Sequence, residues 1–568
     1  MEDEIRESSL VQRIGKIAGL LLFIAVLLAP TPEGLTPAGQ RLAAVLALMA
    51  ALWGTQAIPI AATSLIPLVA FPVLGIQSAT VVSKSYMSKE IFLFFGGFVI
   101  ALGIEKWGLH RRMALTIVRA IGASPRRVVL GFMSATAFLS MWISNTAATL
   151  MMLPIALAMV TALREVLETN DGEPQRAPDS PGGGGPREGA AAALAPLATV
   201  LMLGIAYAAS IGGFTTLVGT PTNVSFRTIW SNTFTDPDAP TITTGSWVIA
   251  TLPIGVAYLL CAWAYLTWRL PKIPGAERFG REFFTNRLRA LGRMTSAERR
   301  IFAVFLITAL LWIFRTPLEF GPKVQVPGWL DGVAWFTAPS ETADTPSARA
   351  AESKRLAEWI DDSTVAIAMA LLLFLIPSGT RDKGRTRYLM DWQSVEGLPW
   401  GILLLFGGGL ALAEGFKSTE LAQWLGDRFA LALAGAPPWV LVAGACLLMT
   451  FLTEFTSNVA TLNATLPVMI GAAVSLEVDP RLVAIPATIA TSCAFMLPIA
   501  TPPNAIIFGS GKVRVGQMVR AGFALNLFGV VLLTLATFLL LIPQMGIKTD
   551  SLPDWAKPPN AAEERRME

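Results

Sequence analysis

One histidine, His110, and three cysteines, Cys261, Cys446 and Cys493, are all that the chain offers a transition metal or thiol chemistry. A zinc site built on histidines is excluded. The cysteines stand at unrelated spacings in apolar segments, as small buried hydrophobes do, and not as disulfide or metal partners. Charge is scarce too: 15% of residues are Asp, Glu, Lys or Arg and 53% are hydrophobic, where a soluble chain carries about a quarter charged. The net charge of +4 is too small to call for nucleic acid. No nucleophile elbow, histidine-metal set or pair of catalytic carboxylates is present, so an enzyme is not expected. The N-terminus lacks a cleavable signal pattern: Met1 to Gly15 is mixed in charge, and no small-residue cleavage pattern follows the apolar run Ile17 to Ala29. That run reads as a retained first transmembrane helix.

What the chain has in quantity is apolar sequence, with a mean hydropathy of +0.56. Repeated uninterrupted runs set the fold class as an all-α polytopic membrane protein. After the first helix come Leu42 to Ile60, Ala62 to Leu74 and Ile91 to Glu105. Leu109 to Ile121 differs. Leu109, Met113, Ile117 and Val118 share one face, with Arg111, Arg112 and Arg119 away from it, which predicts an interfacial amphipathic helix with His110 at the membrane surface. A Gly/Pro-rich linker, Glu168 to Glu188 with Gly182 to Gly185 at its centre, is expected to be disordered. Val248 to Trp268, Ile301 to Phe314, Val365 to Ile376, Gly401 to Ala413 and Ala521 to Ile542 read as further spans. Trp329 to Phe336 reads as an interfacial aromatic belt, and Leu421, Trp424, Leu425 and Phe429 mark a second amphipathic helix.

Three landmarks occur twice in the same order. Phe95-Gly-Gly97 matches Phe406-Gly-Gly408, Ser144-Asn-Thr146 matches Ser457-Asn-Val459, and Gly219-Thr-Pro-Thr-Asn223 matches Ala500-Thr-Pro-Pro-Asn504. The linker present only in the first half absorbs the difference in offset. The Ser-Asn motifs interrupt apolar runs from 128 to 163 and from 440 to 474, each predicted as a re-entrant hairpin, and the Thr-Pro motifs interrupt 194–227 and 482–508, predicted as broken helices. With each hairpin counted as no crossing, an odd number of spans separates corresponding points, so the second copy is inverted. The basic segments 106–127, 269–300 and 381–387 then share one side, the cytoplasmic one. The chain divides into an N-terminal segment with the first helix (1–36), repeat 1 (37–268), a cytoplasmic basic linker (269–300), repeat 2 (301–543) and a polar tail (544–568). The expected total is about 11 transmembrane helices plus the two hairpins.

Small polar residues at mid-membrane are costly unless they hold something. Ser, Thr and Asn oxygens with freed carbonyls suit a hard cation such as sodium, while exposed helix N-termini suit an anion. Proline after each threonine removes a donor and opens the helix there. No Lys, Arg or His lies in the four motifs, so an anion held there is neutralised by bound cations and peptide dipoles. Packing alone explains one such motif, but not two matched pairs. Glu454, where the first copy has Met141, stands on the approach to the second tip. It could bind a cation or proton, or pair with a polar neighbour.

On these paired Ser-Asn and Thr-Pro-x-Asn motifs, from Leu42 to Ile542, the chain resembles the divalent anion/sodium symporter family, which includes sodium-coupled dicarboxylate, citrate and sulfate carriers. The resemblance implies a bacterial inner-membrane homodimer in which an elevator-type transport domain carries both hairpins past a fixed scaffold. It implies one sodium ion at Ser140, Ser144, Asn145 and Gly219 and a second at Thr453, Thr456, Asn458 and Ala500. Substrate carboxylates would meet Ser144, Asn145, Thr146, Thr220 and Pro221 from one half and Ser457, Asn458, Val459, Thr501 and Pro502 from the other. Val459 lacks the hydroxyl of Thr146, which bears on anion preference. Sodium-coupled symport of a C4-dicarboxylate is the leading expectation, with the N-terminus cytoplasmic and the C-terminus outside. Citrate or sulfate symport and dicarboxylate exchange are close alternatives, and an anion channel is one of a different class.

Overall fold

The computed structural model describes residues 10–557 except 123, 171–185, 272–275, 320–324, 338–345, 383–384, 399, 434 and 499. The described chain is mostly helical. Two short antiparallel ladders, Leu318–Glu319 with Gln325–Val326 and Pro377–Asp382 with Arg385–Tyr388, are the strands among these residues. Among the described residues, eight helices are long and apolar enough to cross a bilayer: Pro37–Thr55, Ala79–Lys106, Asn145–Arg164, Leu194–Gly213, Thr244–Thr267, Trp400–Ser418, Asn458–Ser475 and Val515–Met545. Leu10–Leu28 and Ser296–Ile313 carry two more of the expected runs. Ile60–Val73, Asp362–Leu375, Pro438–Leu452 and Arg481–Thr491 are apolar but shorter.

The expected span Ala62 to Leu74 is two short helices, Ile60–Thr63 and Ile66–Val73, parted at the buried Ser64. Pro59, Pro67 and Pro72 account for it, since each lacks the N–H that a continuous helix needs. The doubled Phe-Gly-Gly motifs serve close backbone approach. A methyl on Gly96 would stand 2.6 Å from the Ala366 carbonyl carbon, and one on Gly408 would stand 2.4 Å from Ser64 O. Phe94 stacks on Phe406 at 4.6 Å, joining the two helices that carry these motifs.

The amphipathic helix occupies Leu109–Ile121 as the periodicity predicts, but its inner face is Leu109, Ala114, Leu115 and Val118. His110 is buried as well, 7% exposed, with Nδ1 3.1 Å from Ile104 O. The ring is thus turned into the protein and not toward solvent. Gly108, at φ 70°, turns the chain so tightly that the first helical turn folds back under the end of the preceding helix. Arg112 is half-buried and pairs with Glu298, Nε to Oε1 3.1 Å.

The basic segment 269–300 contains a helix, Ala276–Ala290, whose Phe284 is buried and packs edge-on to Phe132 at 5.9 Å. Lys272 lies outside the described residues. Most of the linker 168–188 does too, and its ends belong to the helices Asn145–Asn170 and Pro186–Gly213. Trp329–Thr337 is a short helix with Leu330 and Ala334 buried and Trp335 exposed. The second amphipathic helix is Leu421–Leu433. Its Gly426 and the facing Gly471 let two backbones meet, but the side chain of Phe429 lies outside the described residues. The tail folds back, with Trp555 against Trp230 and Phe234 at 5.6 and 5.1 Å.

A buried ion cluster ties three helices to the bend that follows the helix Ser296–Ile313. Asp362 is fully buried and accepts from Arg315 Nε at 2.7 Å, Arg227 Nη1 at 3.2 Å, Thr244 N at 3.1 Å and Thr244 Oγ1 at 2.9 Å. Arg227 and Arg315 are themselves only 8% and 4% exposed. Replacing Asp362 by alanine strands two buried guanidiniums, at a cost of about 3–5 kcal/mol. The expected outcome is a collapse of the monodisperse peak on size-exclusion chromatography in detergent. An unchanged peak and unchanged melting midpoint would contradict the cluster's role.

Candidate functional site

The first tip joins the helices Pro125–Ser140 and Asn145–Asn170 through residues 141–144. Ser144 begins the second arm, its Oγ accepting from Ala147 N at 3.2 Å. The facing helix Pro186–Gly213 ends where the chain unwinds over 214–220 and restarts as Pro221–Thr233. Thr220 is extended (φ −140°, ψ 143°), with Pro221 in the first helical position, where a missing N–H costs nothing. Thr216 bridges tip and break: its hydroxyl donates to Met141 O at 2.5 Å and accepts from Gly219 N at 3.0 Å. Asn223 spans the break, with Nδ2 2.9 Å from Phe214 O and 2.7 Å from Thr216 O.

Oxygen crowds this junction. Ser140 Oγ lies 2.5 Å from Asn145 Oδ1 and 2.7 Å from Ala209 O, and its single proton satisfies only one of them. A methyl on Gly219 would stand 2.5 Å from Gly213 O and 2.8 Å from Ser140 O, and one on Gly213 would stand 2.3 Å from Asn145 Oδ1. Side-chain and carbonyl oxygens from Ser140, Asn145 and Gly213 thus converge beside Gly219. That is a neutral, all-oxygen donor set of the kind a hard monovalent cation takes.

The second tip repeats the construction between Pro438–Leu452 and Asn458–Ser475. Thr453 is buried and its Oγ1 lies 2.5 Å from Asn458 Oδ1, the same pairing as Ser140 with Asn145. Pro154 and Pro467 fall at equal spacing after the two asparagines. The facing helix Arg481–Thr491 unwinds and restarts as Pro502–Gly509, with Thr501 at φ −141°, ψ 149°, nearly the backbone angles of Thr220. Asn504 Nδ2 reaches Ala494 O at 3.0 Å and Leu497 O at 3.1 Å, as Asn223 does in its own half. Thr456 donates to Leu452 O at 3.0 Å and shares a hydrogen bond with Thr461, and Ala500 is buried at the break.

The halves meet at the breaks. Thr222 Oγ1 lies 3.0 Å from Ser492 Oγ. Pro502–Gly509 packs on the arm Asn145–Asn170, and Pro221–Thr233 packs reciprocally on the arm Asn458–Ser475. A cavity of about 820 Å³ reaches the first tip, with Ser144, Thr146, His110, Arg111 and Arg287 among the residues that line it. Of the residues expected to touch substrate, only Ser144 and Thr146 line it. Thr220, Val459 and Thr501 are buried; Asn145, Pro221, Ser457 and Asn458 are half-buried; Pro502 is exposed. The structure brings each tip to its own break but does not gather all of these residues around one cavity.

Four residues outside the expected set hold the site together: Thr216, Asn223, Asn504 and Glu454. The asparagines were visible as the last letter of a doubled motif, and their work across the break explains why each copy ends in one. Glu454 was visible as a lone carboxylate in an apolar run, and no pattern named its partners. It takes the place that the Thr216 hydroxyl holds in the first half. Its oxygens accept from the Phe495, Met496 and Leu497 amides.

Filling the cradle at Gly219 tests its purpose. Gly219→Ala puts a methyl where the Gly213 and Ser140 carbonyls converge, and the rise in melting midpoint on exchanging choline chloride for sodium chloride should fall by half or more. A full sodium shift in this variant would show that no cation occupies the space.

The sodium:sulfate symporter transmembrane region, as a family model, matches residues 11–543. A protein of Staphylococcus saprophyticus named sodium-dependent dicarboxylate transporter SdcS is 37% identical over 548 residues, covering 95% of this chain and 94% of that one. A protein of the same name from Staphylococcus aureus is 37% identical over 541 residues, covering 94% and 92%. Among solved structures, that of Neisseria gonorrhoeae MtrF, titled as illuminating a class of antimetabolite efflux pumps, aligns at a TM-score of 0.49 with 13% identity over 94% of this chain and 96% of its own. With the family model spanning nearly its whole length and curated relatives above a third identical end to end, this chain belongs to the sodium:sulfate symporter family, the divalent anion/sodium symporters.

Proposed function

We propose that the protein imports C4-dicarboxylates such as succinate, malate and fumarate by sodium-driven symport. The observation that carries this reading is the pair of all-oxygen tips set against helix breaks, with no fixed positive charge in either. A doubly negative substrate lying between Ser144-Asn-Thr146 and Ser457-Asn-Val459 then depends for its charge balance on sodium at Ser140, Ser144, Asn145 and Gly219 and at Thr453, Thr456, Asn458 and Ala500. The positive dipole ends of the helices that restart at Pro221 and Pro502 complete the anion's surroundings. Sodium affinity and substrate affinity are one coupled quantity in such a site, and that coupling makes a symporter. The names of the staphylococcal relatives support the same substrate class and ion.

The repeats are related by inversion, and alternating access follows from moving the tips past the rest of the chain as an elevator, within a homodimer in the bacterial inner membrane. The N-terminus is cytoplasmic and the C-terminus outside. Arg111 and Arg287 line the cavity at the first tip, and both belong to basic segments that the positive-inside rule assigns to the cytoplasm.

In liposomes of purified protein, labelled succinate should accumulate under an inward sodium gradient and not under a potassium gradient of equal size. Asn145→Ala and Asn458→Ala should each raise the sodium concentration for half-maximal uptake about tenfold or more, the equivalent of one lost good ligand. Equal uptake in potassium, or flux that never saturates with succinate, would refute symport and favour a channel.

A further inference from the structure

The two tips differ in one formal charge. Glu454 is 1% exposed. Its Oε1 accepts from Phe495 N at 2.7 Å, Met496 N at 2.8 Å and Asn526 Nδ2 at 2.6 Å, and its Oε2 accepts from Leu497 N at 3.0 Å. Every one of these bonds is accepted by the carboxylate, and three come from consecutive amides, the arrangement of an anion nest. No lysine or arginine pairs with it among the described residues. All four donors are neutral, so the negative charge is held without being cancelled. Asn526, turned with its amide toward Glu454, keeps its own Oδ1 buried and without a donor, which adds to the negative potential.

This charge belongs to one half only. The corresponding residue in the first half is Met141, which contributes just a main-chain oxygen, to the Thr216 hydroxyl. Glu454 directly follows Thr453, so their Cα atoms are about 3.8 Å apart, and Thr453 bonds Asn458. Through Leu497 the carboxylate also fixes the carbonyl that accepts from Ala500 N at 3.2 Å and Asn504 Nδ2 at 3.1 Å. The donors of the second cradle therefore sit beside, and are partly positioned by, a buried anion in surroundings that screen it poorly.

We infer that Glu454 makes the two cradles unequal. The Thr453–Asn458–Ala500 cradle binds sodium more tightly than the Ser140–Asn145–Gly219 cradle and fills first, with Glu454 acting as a positioning and electrostatic residue and not as a ligand. The inference rests on the proposed reading of both tips as sodium sites. It adds an order of binding to that reading. The first ion enters the half that carries the charge and the second enters the half that does not.

Equilibrium binding of radiolabelled sodium to the purified full chain, without substrate, separates the two claims. The wild type should show a tight and a weak component. Asn145→Ala should retain the tight one and Asn458→Ala the weak one. The reverse assignment overturns the inference without any change at Glu454. In the Asn145→Ala background, Glu454→Gln should weaken sodium binding about tenfold or more. Glu454→Asp, which keeps the charge, should return it to within about threefold. In the Asn458→Ala background Glu454→Gln should leave sodium binding unchanged. Equal losses in both backgrounds would mark Glu454 as a brace of the fold alone and overturn the proposal. If neither asparagine variant removes a component, the reading of the tips as sodium sites fails along with it.

Discussion

Each of the two helix breaks leaves a stretch of backbone without its i to i−4 hydrogen bonds, in surroundings with little water to replace them. Everything at the site follows from how those groups are satisfied. Asn223 and Asn504 reach back across their own breaks to hold carbonyls. Thr216 in one half and Glu454 in the other hold the amides. The carbonyls that remain are gathered around Gly219, where a side chain would overlap them. The unwinding that costs the fold its regular bonding thus leaves main-chain oxygens free to gather beside Gly219.

The two halves solve this shared problem with different chemistry. A threonine hydroxyl both donates and accepts, so Thr216 joins the tip to the break without adding charge. A carboxylate only accepts, and Glu454 therefore gathers three amides at once while leaving a net charge in the apolar interior. Backbone conformation is nevertheless the same at Thr220 and Thr501 to within a few degrees. Away from the tips, the Asp362 cluster joins the end of the first broken helix to Arg315 and the helices around it.

The periodic features of the sequence were legible because composition reports them directly. The amphipathic helix Leu109–Ile121 has the bounds its charge pattern implies, and both tips and both breaks fall at the doubled motifs. Features set by a single turn or by distant partners were not. Arg111 and Arg112 beside His110 do not tell which way the ring turns, and the left-handed turn at Gly108 tucks the imidazole against Ile104 O. Arg227, Arg315 and Asp362 are far apart in sequence and carry no common pattern, so their meeting could not be read. The run Ala62 to Leu74 is apolar enough for a span, but its prolines matter more than its hydropathy. In the basic segment 269–300 the arginines concealed the amphipathic character of a helix that buries Phe284.

A structure determined in sodium and again in potassium, both with succinate, tests the central claim most directly. The account predicts an ion bonded by Ser140, Asn145 and main-chain oxygen beside Gly219, a second bonded by Thr453 and Asn458 beside Ala500, and succinate between the two Ser-Asn tips, all three present in sodium and absent in potassium. Succinate bound equally in both salts, or sodium found away from both cradles, would contradict it.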